Sequence, residues 1–130
     1  MLRMEALKRI LVVEDDEAIR RGLIDFLRER ERVDVDGARD GVEALHQLAL
    51  NRYAVIVLDV WMPKMTGVDF LESLRVLGKD PAVVVITATP QSELRDDEIA
   101  QHYPSLVRGV FRKPLDVREL ATAVDQLLAH

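Results

Sequence analysis

Apolar residues along this chain fall into short continuous runs and longer periodic ones, and the two kinds alternate. Residues 10–13 (ILVV), 54–58 (AVIVL) and 82–86 (AVVVI) are continuous runs, the pattern of strands buried on both faces of a parallel sheet. Residues 33–38 alternate weakly and read as a short strand nearer the sheet edge, and residues 107–111 read as a last short strand. Between them, Ile19, Leu23, Phe26 and Leu27 recur at helical spacing, as do Val42, Leu45 and Ala49, then Phe70, Leu71, Leu74 and Leu77. Val117, Leu120, Ala121, Val124, Leu127 and Leu128 make the clearest amphipathic helix. Residues 91–106 hold Leu94 and Ile99 without a clean stripe, which predicts a short or poorly packed helix there. Five strands alternating with five helices predict an α/β fold, a doubly wound parallel sheet covered on both faces by right-handed crossovers.

That topology brings every strand's carboxyl end to one edge, where ligands enter open α/β sheets. Glu14 and Asp15 leave the first strand, Asp59 the third, Thr87 the fourth and Lys113 the fifth. A lone aspartate at a strand end more often caps a turn, and an isolated Lys-Pro or strand-end Thr is more often structural. Asp16 and Glu17 have such an account already, since acids favour a helix N-terminus. The convergence of the other polar groups asks for more.

Composition narrows the choices. A net charge of −5, from 18 basic and 23 acidic residues, argues against nucleic acid or an anionic membrane as partner. No cysteine is present, so disulfide and thiolate chemistry are excluded, which suits a cytoplasmic setting. No signal peptide or bilayer-length apolar run is visible, and 130 residues without a linker suit one domain, 1–130, with its core at about 10–128.

Three carboxylates in one cleft repel, and one lysine does not neutralise them. A hard divalent cation with oxygen ligands is the natural remedy, and Mg²⁺ fits a site of one or two carboxylates plus water and phosphate. A carboxylate can also be a covalent nucleophile towards phosphorus, giving an aspartyl-phosphate. Such a transfer needs positioning and neutralisation of the phosphoryl oxygens, which Mg²⁺, Lys113 and the Thr87 hydroxyl would supply.

At this point the residues resemble the receiver domain of two-component response regulators, including its single-domain chemotaxis-type members. ILVVEDDEAIRR resembles the family's first strand and acidic pair, VIVLDVWMPKMTG its phospho-acceptor strand and loop, VVVITAT its fourth strand and FRKPL its lysine-proline turn. The resemblance implies a flavodoxin-like sheet of order 2-1-3-4-5, an order already known from receivers. It implies that Asp59 accepts a phosphoryl group from a histidine on a partner kinase or phosphotransfer protein. Asp15, Asp59 and the Trp61 carbonyl would bind Mg²⁺, and Glu14 would act through a water. Lys113, preceding a cis peptide bond to Pro114, would contact the phosphoryl group. Thr87 would couple the chemistry to an output surface, whose downstream partner the sequence does not name; no nucleic acid or membrane is expected as a direct partner.

Two departures qualify the switch. The family usually has an aromatic residue three positions before the lysine, and here that position is Val110; Phe111 is adjacent but points to the opposite face by strand alternation. The interval from Thr87 to Lys113 is also longer than usual, which predicts a shortened or displaced fourth helix. Trp61 is either an ordinary loop aromatic or a shield that slows acyl-phosphate hydrolysis. His46, His102 and His130 share no metal-ligand spacing, and Arg28, Arg30 and Arg32 alternate with acids at a solvated helix end. Two rival functions remain. A pseudo-receiver would be an interaction module not controlled by phosphorylation. An aspartyl-nucleophile phosphohydrolase generally needs a second acid where Trp61 stands. The expected protein is not a conventional enzyme, although it would catalyse its own phosphorylation and dephosphorylation. No output domain is expected within the chain, whether it is free-standing or cut from a longer regulator.

Overall fold

The computed structural model describes residues 7–60, 62, 64–87 and 96–129, with the side chains of 96–98 left aside. Its elements run β1 (Lys8–Val13), α1 (Glu17–Leu27), β2 (Val33–Ala38), α2 (Gly41–Leu50), β3 (Val55–Asp59), α3 (Gly67–Val76), β4 (Ala82–Thr87), α4 (Asp96–His102), β5 (Val107–Arg112) and α5 (Val117–Leu128). The strands pair in parallel in the order β2-β1-β3-β4-β5, so β2 is an edge strand and β3 is central. All five residues of β3 are buried. Alternation along the strands builds two cores. Leu11, Val13, Ile56, Leu58, Val83 and Val85 face α2, α3 and α4. Ile10, Val12, Val55, Val57, Val84 and Ile86 face α1 and α5.

Helix starts follow from capping side chains. Asp16, Asp40, Thr66 and Asp116 each accept a backbone N–H from the first turn of α1, α2, α3 and α5. The cap also fixes each helix's phase, and here two expected stripes are corrected. In α2 the buried residues are Gly41, Ala44 and Leu48, while Val42 and Ala49 are exposed. In α1 the buried residues are Leu23 and Leu27, whereas Ile19 is exposed and Phe26 only half-buried. Leu77 caps α3 and is exposed, and Ala54 precedes β3 and is exposed too. Apolar residues at the rim of a stripe satisfied helical spacing without reaching the sheet. Among the described residues helix α4 runs Asp96–His102; most of the stretch before it, where the sequence predicts a short or poorly packed helix, lies outside the described residues.

Candidate functional site

Each site residue is placed by a strand end. The backbone N–H of Glu14 donates to the Ala38 carbonyl at 3.0 Å and continues the β1–β2 ladder, so Glu14 is still held in the sheet while its neighbour Asp15 has left it. Adjacent residues then part: Glu14 is 2% exposed, and Asp15 faces solvent. Asp59 closes β3 opposite Ile86 and is 5% exposed. Thr87 closes β4, is buried, and its carbonyl accepts the Lys113 backbone N–H at 2.9 Å. The Lys113–Pro114 peptide is cis.

Carboxylate oxygens of Glu14, Asp15 and Asp59 lie within 4.8 Å of one another. The Lys113 ammonium donates to Glu14 Oε1 at 2.9 Å and stands 3.6 Å from Asp59 Oδ2. Burial raises the Glu14 carboxyl above its ordinary value, reinforced by the neighbouring Asp59 carboxyl and opposed by Lys113. Asp15 is raised as well, by partial desolvation and by Glu14. Burial lowers the Lys113 ammonium, but its bonds to Glu14 and the charge of Asp59 outweigh that, so the net shift is upward. One lysine thus serves an acid cleft that carries more negative charge than it neutralises.

The residues fit a divalent cation. Glu14 Oε2 is buried and accepts no hydrogen bond from the protein, a state that costs about 1–3 kcal/mol unless something else pairs with it. The donors are all hard oxygens, as Mg²⁺ requires, and neither histidine nor cysteine belongs to the cluster. The expected ligand Trp61 lies outside the described residues. Its loop is nevertheless defined at both ends. The Val60 N–H donates to the Ile86 carbonyl at 3.1 Å, and the Gly67 N–H donates to the Val60 carbonyl at 2.8 Å. A Cβ at Gly67 would meet the Val60 Cα at 2.7 Å, so only glycine lets the chain close here.

A sequence model of the response regulator receiver domain matches residues 10–125. The chain belongs to the response regulator receiver family. It is 37% identical over 123 residues to the response regulator MprA of a Mycobacterium species (strain KMS), and 36% to that of Mycobacterium avium; each match covers 92% of this chain and 50% of the relative. The receiver therefore spans about half the length of these curated relatives. Among solved structures it is similar to the receiver domain of the Francisella response regulator 1452, with TM-score 0.81 and 30% identity over 92% of this chain and 95% of that one. It is also similar to the response regulator TrrA of Thermotoga maritima, solved in complex with Mg²⁺ and BeF, with TM-score 0.78 and 30% identity over 93% and 99%. The chemotaxis protein CheY4 of Vibrio cholerae gives TM-score 0.80 and 27% identity over 94% and 99%.

Within this receiver Val110 and Phe111 point to opposite faces, as strand alternation suggested. Val110 packs with the α2–α4 core and Phe111 with the α1–α5 core, on opposite faces of β5. A register shift between Val83 and Val84 places Arg108 as an extra residue of β5, which sets that phase. Two features of the site were missed in the sequence. The Arg20 guanidinium donates to the Glu14 carbonyl at 3.0 Å, tying α1 to the acid turn. Lys64, in the loop after β3, pairs with Asp40 at 3.5 Å. Asp40 stands just before a helical segment, a recognisable cap position, whereas neither arginine nor lysine carried any local signal.

Proposed function

We propose that this receiver is a phospho-accepting signalling switch of a two-component system, with Asp59 as acceptor and a histidine kinase or phosphotransfer protein as donor. The observation that carries the reading is the placement of the Asp59 carboxylate between the Lys113 ammonium and two further carboxylates, at the carboxyl edge of the central strand. An Asp59 oxygen attacks the phosphorus of a partner's phosphohistidine. The new O–P bond forms as the N–P bond breaks, and its electron pair returns to the imidazole. Lys113, held from its backbone by Thr87, moves little to meet a phosphoryl oxygen beside Asp59, and the Thr87 hydroxyl takes another. Glu14, as it loses that share of the lysine, gains relief from a cation. Asp15, Asp59 and the Trp61 carbonyl would hold Mg²⁺ directly and Glu14 would do so through a water. The ion would neutralise the charge that phosphoryl oxygens and acids otherwise place together.

The output is an altered partner surface, reached without an aromatic residue at position 110. That departure is what favours the second reading, an interaction module indifferent to phosphorylation. Titration with Mg²⁺ and then beryllofluoride, followed by Trp61 fluorescence, separates the two. The switch predicts saturable quenching by Mg²⁺ and a second change on adding beryllofluoride, both lost in Asp59→Asn. No response to either ligand supports the module.

A further inference from the structure

We propose that Asp40 is a positioning residue for the phospho-acceptor loop, acting through Lys64; the proposal rests on the switch reading above. The ends of the acceptor loop, Val60 and Gly67, are fixed by backbone hydrogen bonds to β4 and to each other. In the switch reading, the stretch between these ends carries the carbonyl at position 61. Among the described residues of the loop, Met62 packs into the core, and Lys64 and Met65 meet the N-terminus of α2. Lys64 Nζ lies 3.5 Å from Asp40 Oδ2, and the next residues touch as well, since a Cβ on Gly41 would stand 2.8 Å from Met65 Sδ and 3.0 Å from its Cβ. Two successive residues of the loop therefore rest on two successive residues of α2.

Three features mark this as a built contact. Lys64 has φ of 69°, a left-handed conformation that costs a β-carbon residue about 1–2 kcal/mol and persists only where surroundings impose it. The Asp40 side chain is only 8% exposed and is itself held, accepting the Glu43 N–H at 2.8 Å as the cap of α2. The bonds from Glu43 and the Lys64 ammonium hold the Asp40 carboxyl below its ordinary value, so it is charged at neutral pH. Glycine at 41 leaves the room that Met65 occupies, so cap, ion pair and close approach act together. The latch fixes the height of the acceptor loop over β3 and hence where its backbone oxygen meets the acid cleft.

Asp40→Asn keeps a good cap while removing the charge. Lys64→Gly removes the ion pair and the left-handed penalty together, and Lys64→Arg keeps the charge. In Mg²⁺-free protein, hydrogen exchange at the Gly67 amide is expected to quicken about threefold to tenfold in Asp40→Asn and Lys64→Gly but not in Lys64→Arg. Mg²⁺ affinity, read by Trp61 fluorescence, falls in the same two variants by a similar factor. The urea midpoint of Lys64→Gly stays level or rises. That split between stability and affinity is one a merely structural residue does not produce. Exchange and affinity within about twofold of the parent in both variants, or faster exchange with unchanged affinity, overturns the positioning role. A parent protein that binds no Mg²⁺ overturns the switch reading itself and the role with it, and is told apart because it needs no variant.

Discussion

Both ends of the central sheet gather polar groups, and they treat them oppositely. At the amino end, the Tyr53 hydroxyl donates to Asp36 at 2.6 Å, while Arg9 lies 3.6 Å and 3.7 Å from Asp34 and Asp36. Burial and the Asp36 carboxylate push the Tyr53 phenol far up, so it stays a neutral donor. Donor and acceptor match there. At the carboxyl end, Glu14 keeps a buried oxygen without a protein partner, beside two more acids and a single lysine. The first arrangement stabilises the fold; the second costs stability that a cation can recover. Buried polarity by itself does not mark a site, but buried polarity left short of partners does.

The contrast can be broken by mutation. The largest effect is expected from Lys113→Ala, which leaves the cleft with no cation of its own. Mg²⁺-free stability should fall by about 1–3 kcal/mol in urea unfolding, and phosphorylation should fail as well. Stability regained to the parent level on adding Mg²⁺ would show that the ion, not the fold, was the missing partner. No loss in its absence would contradict the picture of a strained cleft.

Much of this contrast is legible in the chain itself. Continuous β-branched runs announce the strands because β1, β3 and β4 are covered on both faces, and topology alone collects Glu14, Asp15, Asp59, Thr87 and Lys113. Which of the two adjacent acids turns inward is not legible. It depends on Glu14 staying in register with Ala38 while Asp15 leaves the ladder. That Lys113 sits closer to Glu14 than to Asp59 is equally invisible, since side-chain reach across a cleft leaves no trace in sequence order. Val42 and Ala49 misled because helical spacing gives a stripe's period, while the Asp40 cap gives its phase.

Paired substitutions sharpen the comparison with opposite signs. Tyr53→Phe removes the hydroxyl that donates to Asp36 and should lower stability by about 1–3 kcal/mol. Glu14→Gln removes a charge from the crowded cleft and should raise Mg²⁺-free stability by about 1 kcal/mol while weakening Mg²⁺ binding. Equal signs would erase the distinction between the two ends.

The smallest expected effect is in pH dependence. The Glu14 and Asp15 carboxyls are raised in the folded protein, so the native state takes up protons before the unfolded chain does. Stability contributed by these groups therefore increases as pH falls from neutrality through their raised values. It is complete below their ordinary values of 4.5 and 3.8 and lost as pH rises again. Urea midpoints without Mg²⁺ should show this slope in the parent and a shallower one in Glu14→Gln. Saturating Mg²⁺ should flatten or reverse it, because the ion competes with the protons. An identical slope in all three cases would place the acids' mutual strain elsewhere.

The most direct test of the central claim is intact-mass measurement of the chain after incubation with a small acyl-phosphate donor, with Mg²⁺ or with chelator. One phosphoryl group per chain, present only with Mg²⁺ and lost in Asp59→Asn, is the predicted result. No adduct, or an adduct that survives Asp59→Asn, would contradict it.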